Sequence, residues 1–298
     1  MSKASRIKER TAREKIAAQR EAARRAESRR RLLITGGSVI VVLAVVVALI
    51  IARSIHSSTP TPSAGSPTGT VLPASVANEV TTVPASTLDT VGKGSVPSMT
   101  SAPAKLLNGT PLTSNGKPEM LYIGAEFCPY CAAMRWSMAI ALSRFGTLSP
   151  LRGIHSAATV PGGGTEAYPH TATLTFYKSS YSSPYLSFVP VENEKIDHSP
   201  LQATTAQQQA LWAKYNPNSY PFIDVGNKYM FTVIYNPQVL AGKSWSQIAA
   251  ALKDPSSPIA KSVDGAANYI TAAICKTSAN MPASVCNSQA VTTAAGGL

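Results

Sequence analysis

Residues 32–52 form a run of 21 residues without a single charge, and that run sets the terms for the rest of the chain. The hydrocarbon core of a bilayer takes about 20 apolar residues of helix, so the run is long enough to span it. Gly36 and Gly37 weaken a soluble helix more than a membrane one. Arg29, Arg30 and Arg31 abut one end, and only Arg53 follows directly on the other. Positive flanks stay cytoplasmic, which places the N-terminus in the cytosol and everything after Arg53 outside. The rival reading is a cleaved signal peptide, whose basic and apolar regions are shorter and are followed closely by a small-x-small cleavage site. The basic segment here is 31 residues long, which favours an uncleaved anchor. No cysteine follows the run, so a lipid-modified N-terminus is not expected. The chain reads as a single-pass cell-membrane protein whose bulk is extracytoplasmic.

Charge supports this layout. Residues 1–31 hold twelve Lys/Arg against four Glu, a net of +8 out of +12 for the whole chain. The other residues carry only +4 between them, which does not describe a basic face for nucleic acid. The basic tail fits topology control and attraction to anionic lipid headgroups. Residues 53–104 are rich in Ser, Thr, Pro and Gly, with Pro60, Pro62, Pro67, Pro73 and Pro84 interrupting regular structure. They read as a disordered stalk; a flexible coil of this length reaches roughly 40 Å. The later part, 86–98, has more apolar residues that can pack on the folded domain.

That domain is expected over 105–287, with 288–298 as a flexible tail. Gly116-Lys117-Pro118 signals a turn, and 119–124 (EMLYIG) reads as a short buried strand. In 128–145, Met134, Met138, Ala141, Leu142 and Phe145 recur at helical spacing, and Gly146 marks the stop. Strands are expected at 171–177 and 185–191, and a helix at 205–215 ends at Asn216-Pro217. Segments 221–225 and 229–235, split by Gly226-Asn227, make a hairpin pattern. Segments 244–252 and 259–275 read as closing helices. The order strand, helix, strand, helix, strand, strand, helix is an α/β arrangement, a βαβ half succeeded by a ββα half. It is the order of a thioredoxin-like fold with insertions around 147–200.

Cys128-Pro129-Tyr130-Cys131 falls between the strand and the helix. That place puts the first sulfur over unpaired N–H groups and the positive end of the helix dipole, which stabilise a thiolate. Cys128 is therefore the expected nucleophile with a lowered pKa, and Cys131, one turn in, the resolving thiol. Pro129 sits where its missing N–H costs little. A structural disulfide is a weaker reading, because so small a ring restrains the unfolded chain little. A zinc site needs four ligands, and His155, His170 and His198 are scattered, so no metal and no other cofactor is expected. Cys275 and Cys286 flank ten residues near the C-terminus. Closing that loop outside the membrane stabilises by about 2–3 kcal/mol in the chain-entropy model, so a structural disulfide is the default and a second redox relay the alternative. Trp136, Trp212 and Trp245 read as core residues and His170 as a loop residue.

Ala125-Glu126-Phe127-Cys128 is similar to the Ala-x-Trp-Cys run of thioredoxins, and Cys-Pro-Tyr-Cys to the pair of glutaredoxins. The longer string resembles a bacterial and archaeal family catalogued as domain of unknown function 929. It runs through Arg135, Trp136 and 141–146, and continues in 220–224 (YPFID), 267–269, 274–275 and 282–286. The resemblance covers roughly 85–287 and implies a thioredoxin-like fold without an assigned activity. It implies that Tyr220-Pro221 is the cis-proline step facing the cysteines, with Pro129, Tyr130 and Tyr220 helping Pro221 hold a client strand; a strand-opening proline is the simpler reading of Pro221 alone. Thioredoxins also bury an Asp six residues before the first Cys. Tyr122 stands there. Glu126 is the nearest carboxylate, and reads either as a substitute proton acceptor or as a solvated loop acid.

Two functions are consistent with these residues. One is a membrane-anchored thiol–disulfide oxidoreductase acting on client protein cysteines, with an unidentified membrane or envelope redox partner. The other is a non-catalytic thioredoxin-like binding module of the cell envelope. No nucleic acid is expected as a partner.

Overall fold

A computed structural model describes residues 69–298. The basic tail, the expected span 32–52 and the first part of the expected stalk lie outside the described residues. Among the described residues, no helix is long and apolar enough to cross a membrane.

The strands are β1 (Thr70–Val71), β2 (Lys105–Leu106), β3 (Thr113–Ser114), β4 (Lys117–Gly124), β5 (Thr147–Ser149), β6 (Arg152–His155), β7 (Ala172–Thr175), β8 (Ser180–Ser182), β9 (Ser187–Glu192), β10 (Phe222–Val225) and β11 (Tyr229–Phe231). The helices are α1 (Ala74–Thr81), α2 (Ala85–Val91), α3 (Pro129–Ser143), α4 (Ala206–Tyr215), α5 (Trp245–Ala251), α6 (Pro258–Thr277), α7 (Ala283–Cys286) and α8 (Gln289–Ala295). A 3₁₀ turn, Pro237–Leu240, precedes α5.

The main sheet has β4 near its centre, parallel to β9 on one side and antiparallel to β10 on the other, with β11 and β2 beyond β10. The second half of β4, from Met120 onward, is a continuous buried run because both faces of the sheet are covered there. Met120 and Tyr122 enter the large core, while Leu121 and Ile123 enter a second cluster with Trp212, Phe222 and Met230. That alternation is the period of two expected of a strand. The strand expected at 185–191 is β9, which runs parallel beside β4, while the one expected at 171–177 lies elsewhere. That segment forms β7 and joins a separate antiparallel sheet, β1–β6–β7.

α3 buries thirteen of its fifteen residues, so it has no solvent face. It packs against α6, β7, α1 and the 3₁₀ turn. Trp136 Nε1 donates to the Ala172 carbonyl at 3.0 Å, Thr173 Oγ1 to Ala132 at 2.7 Å, and Ser137 Oγ to Val263 at 2.8 Å. Gly146 stands after the helix for a different reason from the expected one. A Cβ there would strike the Ser182 backbone, so the glycine admits β8 rather than supplying a left-handed cap.

Two expected boundaries are corrected. The Pro-rich segment is folded from residue 69 onward, not a stalk throughout. Pro73 and Pro84 do not interrupt structure; each is the N-cap of a helix, where a missing N–H costs nothing. Val76 and Val80 of α1, and Leu88 and Val91 of α2, are buried. Asn268 of α6 donates Nδ2 to the carbonyls of Leu88 and Gly92 at 3.0 and 2.8 Å, capping α2. Nor is the C-terminus a loose tail. Ala290, Val291 and Ala294 of α8 are buried, and the Ala290 N–H donates to Asp89 at 2.8 Å.

Cys275 and Cys286 are joined in a disulfide with Cα atoms 5.5 Å apart, tying α6 to α7. Trp136, Trp212 and Trp245 are all buried.

Leu88→Ala removes a fully enclosed side chain from the N-terminal segment. It is expected to cost about 2–4 kcal/mol in chemical denaturation, as a core cavity does. A stalk residue would cost nothing measurable.

Candidate active site

The turn from β4 into α3 brings the cysteine pair together. Cys128 is the N-cap of α3, with extended backbone (φ −72°, ψ 120°), and Pro129 occupies the first helical turn. The backbone N–H of Cys131, one of the first-turn donors without a helical acceptor, donates to Cys128 Sγ at 3.3 Å. Both cysteines are free thiols. Cys128 is 4% exposed and Cys131 is fully enclosed, so a partner sulfur reaches Cys128.

Ala125 and the two cysteines form a small cluster of their own, closed by Phe127, Tyr130 and Tyr220. β10 delivers Tyr220 there. Phe222 pairs with Ile123, a register that carries Pro221 to the level of Gly124, and the Tyr220–Pro221 peptide is cis. The Tyr220 hydroxyl accepts from Asn193 Nδ2 at 2.6 Å and donates to Glu194 Oε1 at 2.9 Å. Its ring stacks on Trp212 at 5.1 Å and meets Phe127 edge-on. Tyr130 stands edge-on to Tyr168, and Phe127 lies over His198 at 3.8 Å. Cys128, Cys131, Pro129, Tyr130, Tyr220 and Pro221 thus come to one place. The Cys275–Cys286 disulfide belongs to a different cluster, in the main core. Among the described residues, no three His, Cys, Asp or Glu side chains gather to hold a metal ion.

Beneath the pair lies a charged layer that the motif spacing does not reveal. Arg135, four residues after Cys131, is fully buried. Its Nε donates to Glu192 Oε1 at 2.9 Å and its Nη2 to Glu192 Oε2 at 2.6 Å. The same Nη2 donates to the Ala125 carbonyl at 2.7 Å. Glu192 Oε1 also accepts from the Phe176 N–H at 3.1 Å. A buried ion pair survives only with such geometry and added hydrogen bonds. One signal of it is present in the sequence: Arg135 is the only charge in an otherwise apolar helix, and such a residue needs a buried acceptor.

Glu126 is not a solvated loop acid. It is fully enclosed, with Oε1 accepting from Thr175 Oγ1 at 2.8 Å. Burial pushes its carboxyl up to about 7, with the nearby Glu192 adding to the rise. Tyr122 is also enclosed, and its phenol lies over Gly124, where any Cβ would overlap the oxygen. Burial raises its pKa well above the usual range.

The expectation of a lowered pKa at Cys128 is reversed. Burial is the largest influence on Cys128 and pushes its thiol up. Burial also raises Cys131, but it is outweighed by the hydrogen bond from Cys128, the charge of Arg135 and a backbone hydrogen bond from Ala125, so Cys131 is lowered. The helix terminus gives Cys128 one N–H, while the dry surroundings withdraw the water that a thiolate there would need.

The family model described as Domain of unknown function (DUF929) matches residues 103–276, more than half of the chain. The chain belongs to the DUF929 family. The DUF929 match includes Cys128, Cys131, Arg135, Glu192, Tyr220 and Pro221 and stops one residue after Cys275. It is shorter than the 85–287 of the resemblance, and leaves out α1, α2, α7 and α8. No curated protein and no solved structure matches the chain.

Three buried acids share one pH dependence: Glu126 and Asp224, each pushed up to about 7, and Asp264, pushed up to about 8, all chiefly by burial. Each binds its proton more tightly folded than unfolded. Their stabilisation is full below the unfolded values near 4 and is lost as pH rises through about 8. The denaturation midpoint is expected to fall between pH 5 and pH 8, and Glu126→Gln to reduce that fall. An equal midpoint at both pH values would contradict it.

Proposed function

We propose that this DUF929 protein is a thiol–disulfide oxidoreductase of the cell envelope with a thioredoxin-like domain, working through Cys128 and Cys131 on client protein cysteines. The observation that carries the reading is the free cysteine pair at the start of α3, with the Cys131 N–H bonded to Cys128 Sγ and only Cys128 reaching the surface. The strand order β9–β4–β10–β11, with β9 parallel to β4, β10 antiparallel to β4 and β11 antiparallel to β10, supports the fold assignment, because it is the order of a thioredoxin-like core. Tyr220 and Pro221 lie beside the sulfurs, where a client strand would pair. Anchoring through 32–52, with the N-terminus in the cytosol, is part of the same proposal and rests on the sequence. An envelope redox partner would reset the pair; the exchange itself needs no other cofactor.

In the exchange, a client thiolate attacks Cys128 Sγ of the disulfide form, or the Cys128 thiolate attacks a client disulfide. Either route passes through one mixed disulfide on Cys128, which the second thiol of whichever partner is being oxidised resolves. A binding module that merely kept the fold would not need the sulfur.

The test is the potential of the pair in the full chain in detergent, measured by glutathione equilibration and mass spectrometry of alkylated peptides. A value between about −120 and −270 mV is expected. A value below about −300 mV would make the pair structural and favour the binding module. Cys128→Ser is expected to abolish exchange with an intact fold.

A further inference from the structure

The direction of the exchange is written in the charged layer under Cys131. We infer that Arg135, clamped by Glu192, is a positioning residue that receives the negative charge formed on Cys131 Sγ when the disulfide opens, so that the pair acts as an oxidant of client dithiols. This rests on the redox reading above and adds its direction.

The geometry is specific. Residues four apart on a helix share a face, so Arg135 lies on the face of Cys131. Two nitrogens of its guanidinium are committed, Nε and Nη2 to Glu192 and Nη2 also to the Ala125 carbonyl. The third, Nη1, is buried and has no hydrogen-bond partner among the described residues. Both oxygens of Glu192 have partners, whereas one nitrogen of the guanidinium has none. Ala125, whose carbonyl helps fix Arg135, packs on both cysteines. Arg135 also stands 5.8 Å over the ring of Tyr122, which closes the layer from the strand side. A buried donor left unpaired in the dithiol form is costly. The group near it that gains charge during the reaction is Cys131, where Arg135 favours the thiolate more than Glu192 opposes it. An interaction made only with the charged product favours forming that product.

The step balances with the protein disulfide as oxidant. A client thiolate attacks Cys128 Sγ; the Cys128–Cys131 bond breaks and its electron pair leaves on Cys131 Sγ, opposite Arg135. The second client thiol gives up its proton and attacks the client sulfur of the mixed disulfide, and the electron pair of that bond leaves on Cys128 Sγ. The client gains a disulfide and loses two electrons and two protons, which the cysteine pair takes up as its dithiol.

The experiment uses the full chain in detergent and compares it with the double variant Arg135→Met/Glu192→Leu, which removes both charges without stranding one. The equilibrium for oxidation of glutathione by the protein disulfide is expected to fall at least tenfold in the variant, about 30 mV. An unchanged equilibrium in a folded double variant would overturn the inference and leave the redox reading standing. A wild-type pair that does not exchange with glutathione would overturn both. A second measurement does not depend on the fate of that variant. Thiolate absorbance near 240 nm is expected to rise at lower pH in Cys128→Ser, which keeps Cys131, than in Cys131→Ser, which keeps Cys128. The opposite pattern would place the charge on Cys128 and overturn the inference.

Discussion

A two-point clamp between Arg135 and Glu192 fixes how α3 sits against the main sheet. The clamp joins the first turns of α3 to the end of β9, and through the Ala125 carbonyl it also fixes the turn that carries Cys128. Burying two charges has a desolvation cost of several kcal/mol per ion, and such a pair adds little net stability over well-packed apolar residues. Its contribution is register. A slip of α3 along its axis would leave a guanidinium and a carboxylate unpaired in a dry interior, which costs about 3–5 kcal/mol. The cysteines are therefore presented at one height above the sheet.

Dryness has a second consequence. α3 has no solvent face, because α6, β7, α1 and the 3₁₀ turn surround it. The pair at its N-terminus inherits that enclosure. The same burial that raises Cys128 and Glu126 makes the field of Arg135 felt at Cys131, since charges act more strongly where water is excluded. Packing far from the sulfurs and electrostatics close to them are one device.

Much of this is legible in the sequence, and the exceptions share a cause. The strand at 117–124, the helix after the cysteines, the hairpin at 222–231 and the closing helices all arise from local pattern: continuous apolar runs, three- and four-residue spacing, capping residues such as Thr205 and Ser244. The placing of Tyr220-Pro221 beside Cys128 comes from element order together with the family resemblance. Pro73 and Pro84 mislead because proline content suggests disorder, whereas a proline at an N-cap begins a helix. Local pattern marks both β7 and β9 as strands, but which of them runs parallel to β4 is set by tertiary pairing. Arg135, Glu126 and Glu192 are separated by up to 66 positions, and no local pattern reports that a fold will bury them together. The sign of the Cys128 shift fails for the same reason: the helix terminus is local, but desolvation is not.

The central claim is that Cys128 exchanges and Cys131 resolves. The most direct measurement is to challenge the full chain and its Cys131→Ser variant with oxidised glutathione and track the intact mass with time. The account predicts a glutathione adduct on Cys128 that persists in Cys131→Ser and disappears in the wild type as the internal disulfide forms. No adduct in Cys131→Ser, or an adduct that persists equally in both, would contradict it.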